Sequence, residues 1–187
     1  MWRGRKETIE DSERTVTDPV RARERTMNRA VRLLAAKPRS VEELRERLLE
    51  KRWTNQEIVA AVIEKLQEYK YLDDKQFAAD LASSKLRQKP VGKRKLQQSM
   101  SRKKLDRETL DEAIASAYEK MPESELIDRA IEKRLRLKGA PQTREDTKKF
   151  YDFLMRQGFG YGLIRDKMSS IGKEKLDPDE GDTGEFL

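Results

Sequence analysis

Apolar residues recur along most of the chain at the 3.6-residue spacing of amphipathic helices, and no stretch alternates convincingly as a half-buried strand would. Gly and Pro are sparse and fall between the periodic runs, where they would interrupt helices. The pattern predicts nine helices, at about 20–36, 41–51, 55–69, 74–87, 93–103, 107–119, 124–138, 144–157 and 161–171. The predicted fold class is therefore all-α.

The predicted helices repeat in threes. A shift of 52 residues places Leu44 on Leu96, and a further shift of 54 places Leu96 on Phe150. Each unit also has a Pro between its first and second helices, and this recurrence is stronger evidence than apolar matches because Pro cannot continue the first helix. The three prolines are Pro38, Pro90 and Pro141. The simplest account is three tandem three-helix repeats with helix-turn-helix-like geometry.

The repeats divide the chain into five segments. Repeat 1 is predicted at 20–73, repeat 2 at 74–122 and repeat 3 at 123–172. The polar, aperiodic segment 1–19 is predicted to be disordered or loosely ordered, and the acidic segment 173–187 is predicted to form a flexible tail.

Polar residues stand where the second and third helices should begin. Ser40, with Glu43 three residues later, has the spacing of a capping box, in which each residue satisfies a free backbone N–H of the other. Thr54 and Asp106 are predicted to cap the third helices of repeats 1 and 2 in the same manner.

Composition narrows the possible chemistry. Charged residues make up 41% of the chain against 35% for apolar ones, which favours thin helical layers over a single thick core. The chain has no Cys and no His, so thiol nucleophiles, imidazole bases, disulfides and the usual zinc ligands are excluded. Only carboxylates, Lys, Tyr and hydroxyl groups remain for chemistry, and no metal site and no cofactor are predicted.

The N-terminal sequence lacks the apolar core of a signal peptide, and the longest apolar run, at 58–63, is too short to cross a bilayer. A cytoplasmic protein without a membrane partner is expected. The net charge of +7 favours a polyanion or an acidic protein surface as the partner.

Two adjacent acidic residues, Asp73 and Asp74, interrupt this basic chain at the predicted join between repeats 1 and 2. A calcium loop would need further oxygen ligands at fixed spacing, and a glycosidase pair would need carboxylates facing each other across a cleft. Neither pattern is present. Both residues are predicted to cap the first helix of repeat 2, accepting its free N–H groups and complementing its dipole.

The string "YLDDKQFAADL", together with the preceding "LLAAKPRSVEELRERLLEKRW" and "LQEYKYLDD", resembles the RecX family of bacterial recombination regulators. The resemblance covers about residues 21–171. Two departures from the family pattern are Lys70, where family members tend to have Gly, and Trp53, where they tend to have a smaller apolar residue.

The resemblance implies an elongated, curved array of tandem three-helix repeats without catalytic residues. It also implies that the protein modulates the RecA recombinase, usually as an inhibitor, by binding the nucleoprotein filament during recombination and the SOS response. Filament extension, ATP hydrolysis and strand exchange would be hindered.

Positive charge concentrates in repeat 2. Residues 85–107 contain ten basic residues and one acid, an excess larger than the net charge of the whole chain. At 100° per residue, with Leu96 and Met100 facing the core, the second helix of this repeat should project a basic ridge outward and flank its apolar stripe with Lys93 and Lys103. The outward residues are Arg94, Lys95, Gln98, Ser101 and Arg102.

Such a ridge suits phosphate oxygens or acidic patches on a protein. The candidate binding residues are Lys89, Lys93, Arg94, Lys95, Gln98, Arg102, Lys103 and Lys104, with Arg134 and Arg136 from a smaller basic set on the first helix of repeat 3. We expect a monomer that binds the RecA filament, and binds single- or double-stranded DNA weakly and without sequence specificity.

Three other interpretations are less favourable. The third helices are acidic, so major-groove reading by a helix-turn-helix is electrostatically unfavourable. The "GFGYG" stretch at 158–162 lacks the pattern of a phosphate loop and aligns with turns between second and third helices. Phe150 matches a core position of the repeats and Phe153 shares its side of the helix, which leaves Tyr151 as a weak candidate for base stacking. A general nucleic-acid-binding module without a recombinase partner stays open as an alternative.

Overall fold

A computed structural model describes the backbone of residues 9–173 and the side chains up to Ser169. Nine α-helices and no strands lie in this part of the chain, which confirms the all-α prediction. The helices are α1 Pro19–Ala36, α2 Val41–Leu49, α3 Gln56–Glu68, α4 Asp74–Gln88, α5 Lys93–Met100, α6 Arg107–Lys120, α7 Glu123–Lys138, α8 Arg144–Arg156 and α9 Tyr161–Lys173. The predicted tail lies outside the described residues from Glu174 onward, as do residues 1–8.

The helices group into two compact units. The first contains the chain up to Leu81 together with Met100–Ala113, and the second contains Ala82–Ser99 together with the chain from Ile114. The residues of α4, α5 and α6 are therefore divided between the two units.

In the first unit, α1, α2 and α3 pack around a core that includes Leu44, Leu48, Val59 and Leu66. Ser40 and Glu43 form the capping box at the start of α2. The cap of α3, however, is Asn55, whose Oδ1 accepts a hydrogen bond from Ile58 N, and the assignment of this role to Thr54 is wrong.

Thr54 has a different role because its side chain is fully buried. Its hydroxyl accepts a hydrogen bond of 2.9 Å from the hydroxyl of Thr26, which lies on α1. The cap of α3 thus lies one residue after the predicted position, and the side chain of Thr54 makes a tertiary contact instead.

The segment before α1 also packs on the first unit. The guanidinium of Arg14 donates from Nη1 to the carbonyl oxygens of Leu49, Lys51 and Thr54, and from Nη2 to Ile9 O. Residues 9–18 therefore contact the turn between α2 and α3, whereas the sequence indicated only a polar, aperiodic stretch.

In the second unit, α7, α8 and α9 pack on one another, and Ile127, Leu154, Phe159 and Ile164 are fully buried. The hydroxyl of Tyr118 donates to Val91 O at 2.8 Å and so fixes the chain just after Pro90.

Two joints connect consecutive repeats, and each lies within one unit. In joint 1, the N-terminus of α2 contacts the end of the 3-10 turn Ser101–Lys103: Ser40 Oγ donates to Lys103 O at 2.6 Å. In joint 2, the N-terminus of α5 contacts the turn between α8 and α9: Gly92 N donates to Gln157 O at 2.9 Å. Gly92 follows Ser40 by 52 residues and Gln157 follows Lys103 by 54, so the joints are equivalent.

Joint 2 requires two glycines because backbones cross there without side chains between them. A Cβ on Gly92 would lie 2.2 Å from Gly158 O, and a Cβ on Gly158 would lie 2.6 Å from Lys95 N. Gly158 also has a φ of +89°, which disfavours other residues. The "GFGYG" turn is thus a buried packing element at Gly158 and Phe159.

We predict that Gly92→Ala lowers the free energy of unfolding by about 2–3 kcal/mol, since an added methyl group would have to displace backbone in a packed joint. Gly162→Ala is the matched control, because a Cβ there meets nothing within 4 Å. In α9 that change should stabilise the helix by up to about 1 kcal/mol. Urea unfolding measures the free energy of unfolding of both variants. Equal stabilities for the two variants would contradict the packing described for joint 2.

Candidate functional site

Asp73 and Asp74 cap two different helices. Asp73 Oδ1 accepts a hydrogen bond of 3.0 Å from Gln76 N in the first turn of α4. Asp74 Oδ1 instead accepts a bond of 2.8 Å from Val41 N, the first residue of α2. The expectation that both carboxylates act on α4 is therefore corrected for Asp74, whose side chain reaches back to the preceding repeat.

Joint 2 has the same arrangement. Glu123, the first residue of α7, accepts a hydrogen bond of 3.0 Å from Lys93 N at the start of α5. In both joints a carboxylate on the first helix of one repeat thus caps the second helix of the repeat before it, a position that complements the positive end of the capped helix.

Burial raises the pKa of Asp74 above its usual value. The bond from Val41 N opposes this shift, while the neighbouring carboxylates of Asp106, Asp73 and Glu43 add to it. These acids do not form a metal centre: among residues 9–169, no cluster of three or more acidic side chains is arranged to hold a metal ion. The geometry of the acidic pair is that of a structural joint.

The part of the predicted ridge in the first unit is only partly exposed. Arg102 is exposed. Lys103 is 18% exposed, donates from Nζ to Glu43 Oε1 at 3.1 Å, and lies 5.8 Å from the centre of the Phe77 ring. Lys104 pairs with the exposed Glu46. Of these three cations, Lys103 belongs to joint 1.

In the second unit too, some ridge residues are exposed and one makes a contact within the protein. Arg94, Lys93 and Gln98 are exposed, and the ammonium of Lys93 lies 5.7 Å from the Tyr118 ring. The prediction that Lys95 projects outward is wrong. Its Nζ donates to Arg156 O at 2.9 Å and to Gln157 Oε1 at 3.1 Å.

Lys95 thereby supplies donors to the C-terminal end of α8, where carbonyl groups lack partners within the helix. Burial lowers its pKa, and the charges of Lys89 and Arg156 lower it further. A helical projection of α5 alone could not reveal this contact, because α8 lies about 60 residues further along the chain.

Basic residues from two elements meet in a cleft of the second unit, here called the α7 cleft. Its polar lining comes from the chain just after α4, from α7 and from the residue that follows α8: Lys89, Lys133, Arg134, Lys138 and Gln157. A neighbouring depression is lined by Arg87, Arg129, Lys133 and Arg136, with one acid, Glu132. The structure thus brings Lys89 together with Arg134, and places Arg136 in the adjacent depression.

Arg134 is half-buried. Its guanidinium lies 4.6 Å from the centre of the Phe153 ring and 5.3 Å from that of Phe150, distances typical of cation–π interactions. Phe150 is buried, as its repeat position predicts, and the Tyr151 ring lies 6.3 Å from that of Tyr161. Arg134 is therefore held by the fold and lines the cleft from a fixed position.

A basic cluster on α1 was missed. Arg25, Arg29 and Arg32 line a depression in the first unit beside Trp53, and the Arg25 guanidinium lies 4.6 Å from the centre of the Trp53 ring. The spacing of these arginines along one helix face was visible in the sequence. The charge excess of residues 85–107 is more concentrated along the chain, and it therefore gives the stronger signal in the sequence.

Within the described residues, no helix combines the length and the apolar character needed to cross a bilayer.

Three family models match the chain in order. They describe the first, second and third three-helix domains of RecX and match residues 27–66, 73–114 and 122–168. These segments correspond to α1–α3, α4–α6 and α7–α9.

Similar proteins carry the same description. The regulatory protein RecX of Chlorobium limicola is 34% identical over 143 residues, which cover 76% of this chain and 86% of that protein. The regulatory protein RecX of Chlorobaculum tepidum is 32% identical, with 83% of this chain and 94% of that protein covered. The crystal structure of RecX from Lactobacillus salivarius matches with a TM-score of 0.72 and 18% identity over 82% of this chain and 98% of that one, and so shows the fold.

We predict that Asp74→Asn changes the pH dependence of stability. Since the pKa of Asp74 is raised in the folded state, its contribution is fully present below its unfolded pKa of about 3.9 and is lost as pH rises through the folded pKa. The asparagine does not titrate. The unfolding free energy of Asp74→Asn minus that of the wild type should therefore increase as pH rises from about 3 to 6.

Asp74→Ala separates charge from hydrogen bonding. The unfolding free energy of Asp74→Ala minus that of the wild type should also increase with pH. At each pH it should be about 1 kcal/mol lower than for Asp74→Asn, because Val41 N loses its acceptor. The measurement is urea unfolding at several pH values. A difference between wild type and Asp74→Asn that stays constant with pH would contradict the burial of this carboxylate.

Proposed function

The chain belongs to the RecX family of regulatory proteins, and from this membership we propose that it binds the nucleoprotein filament of the RecA recombinase and inhibits it. The inhibited steps are ATP hydrolysis, filament extension and strand exchange, in recombination and the SOS response. The observation that carries the proposal is the match of all three family domains, in order, along 27–168. RecX proteins are regulators rather than enzymes, so the protein acts by binding.

The distribution of charge supports binding to a filament that contains nucleic acid. Exposed cations occur in both units. Four of them line the depression beside the α7 cleft, namely Arg87, Arg129, Lys133 and Arg136. Further exposed cations are Lys89, Arg94 and Arg102. Individual exposed ion pairs contribute little, about 0–1 kcal/mol each. A partner with many phosphates or carboxylates can engage several of them at once, so the affinity of the complex comes from their number.

Several of the predicted contact residues also have contacts within the protein. Lys95 and Lys103 hydrogen-bond within the joints, and Arg134 stacks on phenylalanine rings. We assign the first contacts with the filament to Arg94 and Arg102, which are exposed and carry no structural contact comparable to those of their neighbours. Lys89 and Arg136 extend this set, Gln98 is a further exposed candidate, and the protein acts as a monomer.

We predict that Arg94→Glu combined with Arg102→Glu raises the concentration needed for half-maximal inhibition of RecA by about tenfold, since each reversal replaces attraction by repulsion. The assay is ATP hydrolysis by RecA on single-stranded DNA, with filament length followed in parallel. Arg23→Glu combined with Lys148→Glu is the matched control, because it makes the same change in charge at exposed positions of both units. Equal loss in both double variants would mean that only net charge matters.

A general nucleic-acid-binding role is the alternative, favoured by the same basic residues. The two functions differ when RecA is absent. Binding to bare DNA through phosphates should weaken with salt by a log–log slope of roughly 0.7–0.9 per contact. Strong DNA binding with no effect on RecA would favour the alternative, whereas inhibition at salt concentrations that abolish DNA binding would favour direct contact with the recombinase.

A further inference from the structure

The α7 cleft combines positive charge with apolar surface. Besides its cations, it is lined by Pro90, Phe153 and Leu137, and Leu137 is 66% exposed. An exposed leucine at the C-terminal end of α7 contributes little to the core of the second unit. DNA phosphates would use the cations of this cleft and leave its apolar lining unpaired, so the lining fits a peptide that carries both acids and apolar side chains.

The chain itself contains such a segment. Residues 174–187, which lie outside the described residues, have the sequence "EKLDPDEGDTGEFL". They carry six acids against one lysine and include three large apolar residues, Leu176, Phe186 and Leu187. The acids of this segment therefore complement the cations of the cleft, and its apolar residues complement the apolar lining.

We propose that residues 174–187 dock in the α7 cleft of the same molecule. Carboxylates of the segment pair with Lys89, Lys133 and Lys138, and Phe186 or Leu187 packs against Leu137 and Phe153. The docked segment covers part of the basic surface when the protein is free and must leave before an acidic partner can use that surface. The contact itself does not depend on what the protein regulates.

The connection is long enough for this contact. Helix α9 is described as far as Lys173 and packs on α7 and α8, two of the elements at the cleft. Fourteen extended residues reach roughly 46 Å. A compact unit of about 90 residues has a radius of gyration of about 12 Å and is therefore only roughly 30 Å across. The segment can reach the cleft from the end of α9 without rearrangement of the helices.

Because the segment is part of the same chain, even a weak contact is sufficient for it to occupy the cleft. A short flexible connection gives an effective concentration on the order of 1 mM. If the free segment bound the cleft with a dissociation constant of about 0.1 mM, the tethered segment would occupy it in about nine molecules out of ten. Occupancy of this extent would weaken the binding of any competing peptide by about tenfold.

The test uses a fluorescein-labelled peptide with the sequence of residues 174–187 and measures its binding by fluorescence anisotropy. The full-length wild type is compared with a full-length tail variant, in which Asp177, Asp179, Glu180, Asp182 and Glu185 are changed to the corresponding amides and Phe186 and Leu187 to Ser. We expect the peptide to bind the tail variant about tenfold more tightly than the wild type. The difference between these two affinities should become smaller at 1 M salt, where ion pairs are screened.

Substitutions in the cleft locate the site. Lys133→Glu combined with Leu137→Asp, introduced into the tail variant, should reduce peptide binding by at least tenfold. The matched control is Arg32→Glu combined with Val31→Asp, which makes the same chemical changes on α1, where Val31 is 51% exposed. All four side chains are partly or fully exposed, and circular dichroism verifies that the helices are retained.

Three outcomes would overturn the proposal. Equal peptide binding by the wild type and the tail variant would show that the tethered segment does not occupy the site. Equal loss in the cleft and α1 variants would show that the segment responds to net charge alone. Concentration-dependent dimerisation of the wild type that the tail variant lacks would show that the segment binds a second copy. The assay contains no RecA, so it can fail while the regulatory function stands.

Discussion

A carboxylate that caps the helix of a neighbouring repeat is the interaction on which the arrangement of this protein depends. Every helix begins with backbone N–H groups that have no partner within the helix. For α2 and α5, one of these groups is satisfied by an acid from the next repeat, Asp74 or Glu123. Each bond joins residues 30 or more positions apart. Local helix capping and packing between repeats are therefore the same contact in this chain.

The equivalence of the two joints explains why compact units and sequence repeats do not coincide. The first unit is organised around joint 1, where repeat 2 supplies Asp74 and Lys103 to the N-terminus of α2. The second unit is organised around joint 2, where repeat 3 supplies Glu123 and Gln157 to the N-terminus of α5. Repeat 2 takes part in both joints. Its residues are accordingly divided between the units, although its three helices match a single family domain.

The joints also determine which charges are available for binding. Glu43 and Lys95 occupy equivalent positions, 52 residues apart, yet they carry opposite charges, and each has its partner in the following repeat. The basic excess of 85–107 therefore serves two purposes. Part of it holds repeats together, and the part that stays exposed, such as Arg94 and Arg102, gives the surface its positive charge.

The sequence by itself determined the helices, the threefold repeat and the family, because these depend on periodic burial, on prolines between helices and on a distinctive local string. It also identified the capping box of Ser40 and Glu43, which is local. Tertiary structure alone decided the partners of Asp74, Lys95 and Arg134. Their contacts are made across roughly 15 to 60 residues, and a side chain that projects from an isolated helix can meet either water or another helix. The physical reason is that periodicity specifies which face of a helix is buried, whereas the partner of each charge at the edge of that face depends on how the helices pack, within a repeat or between repeats.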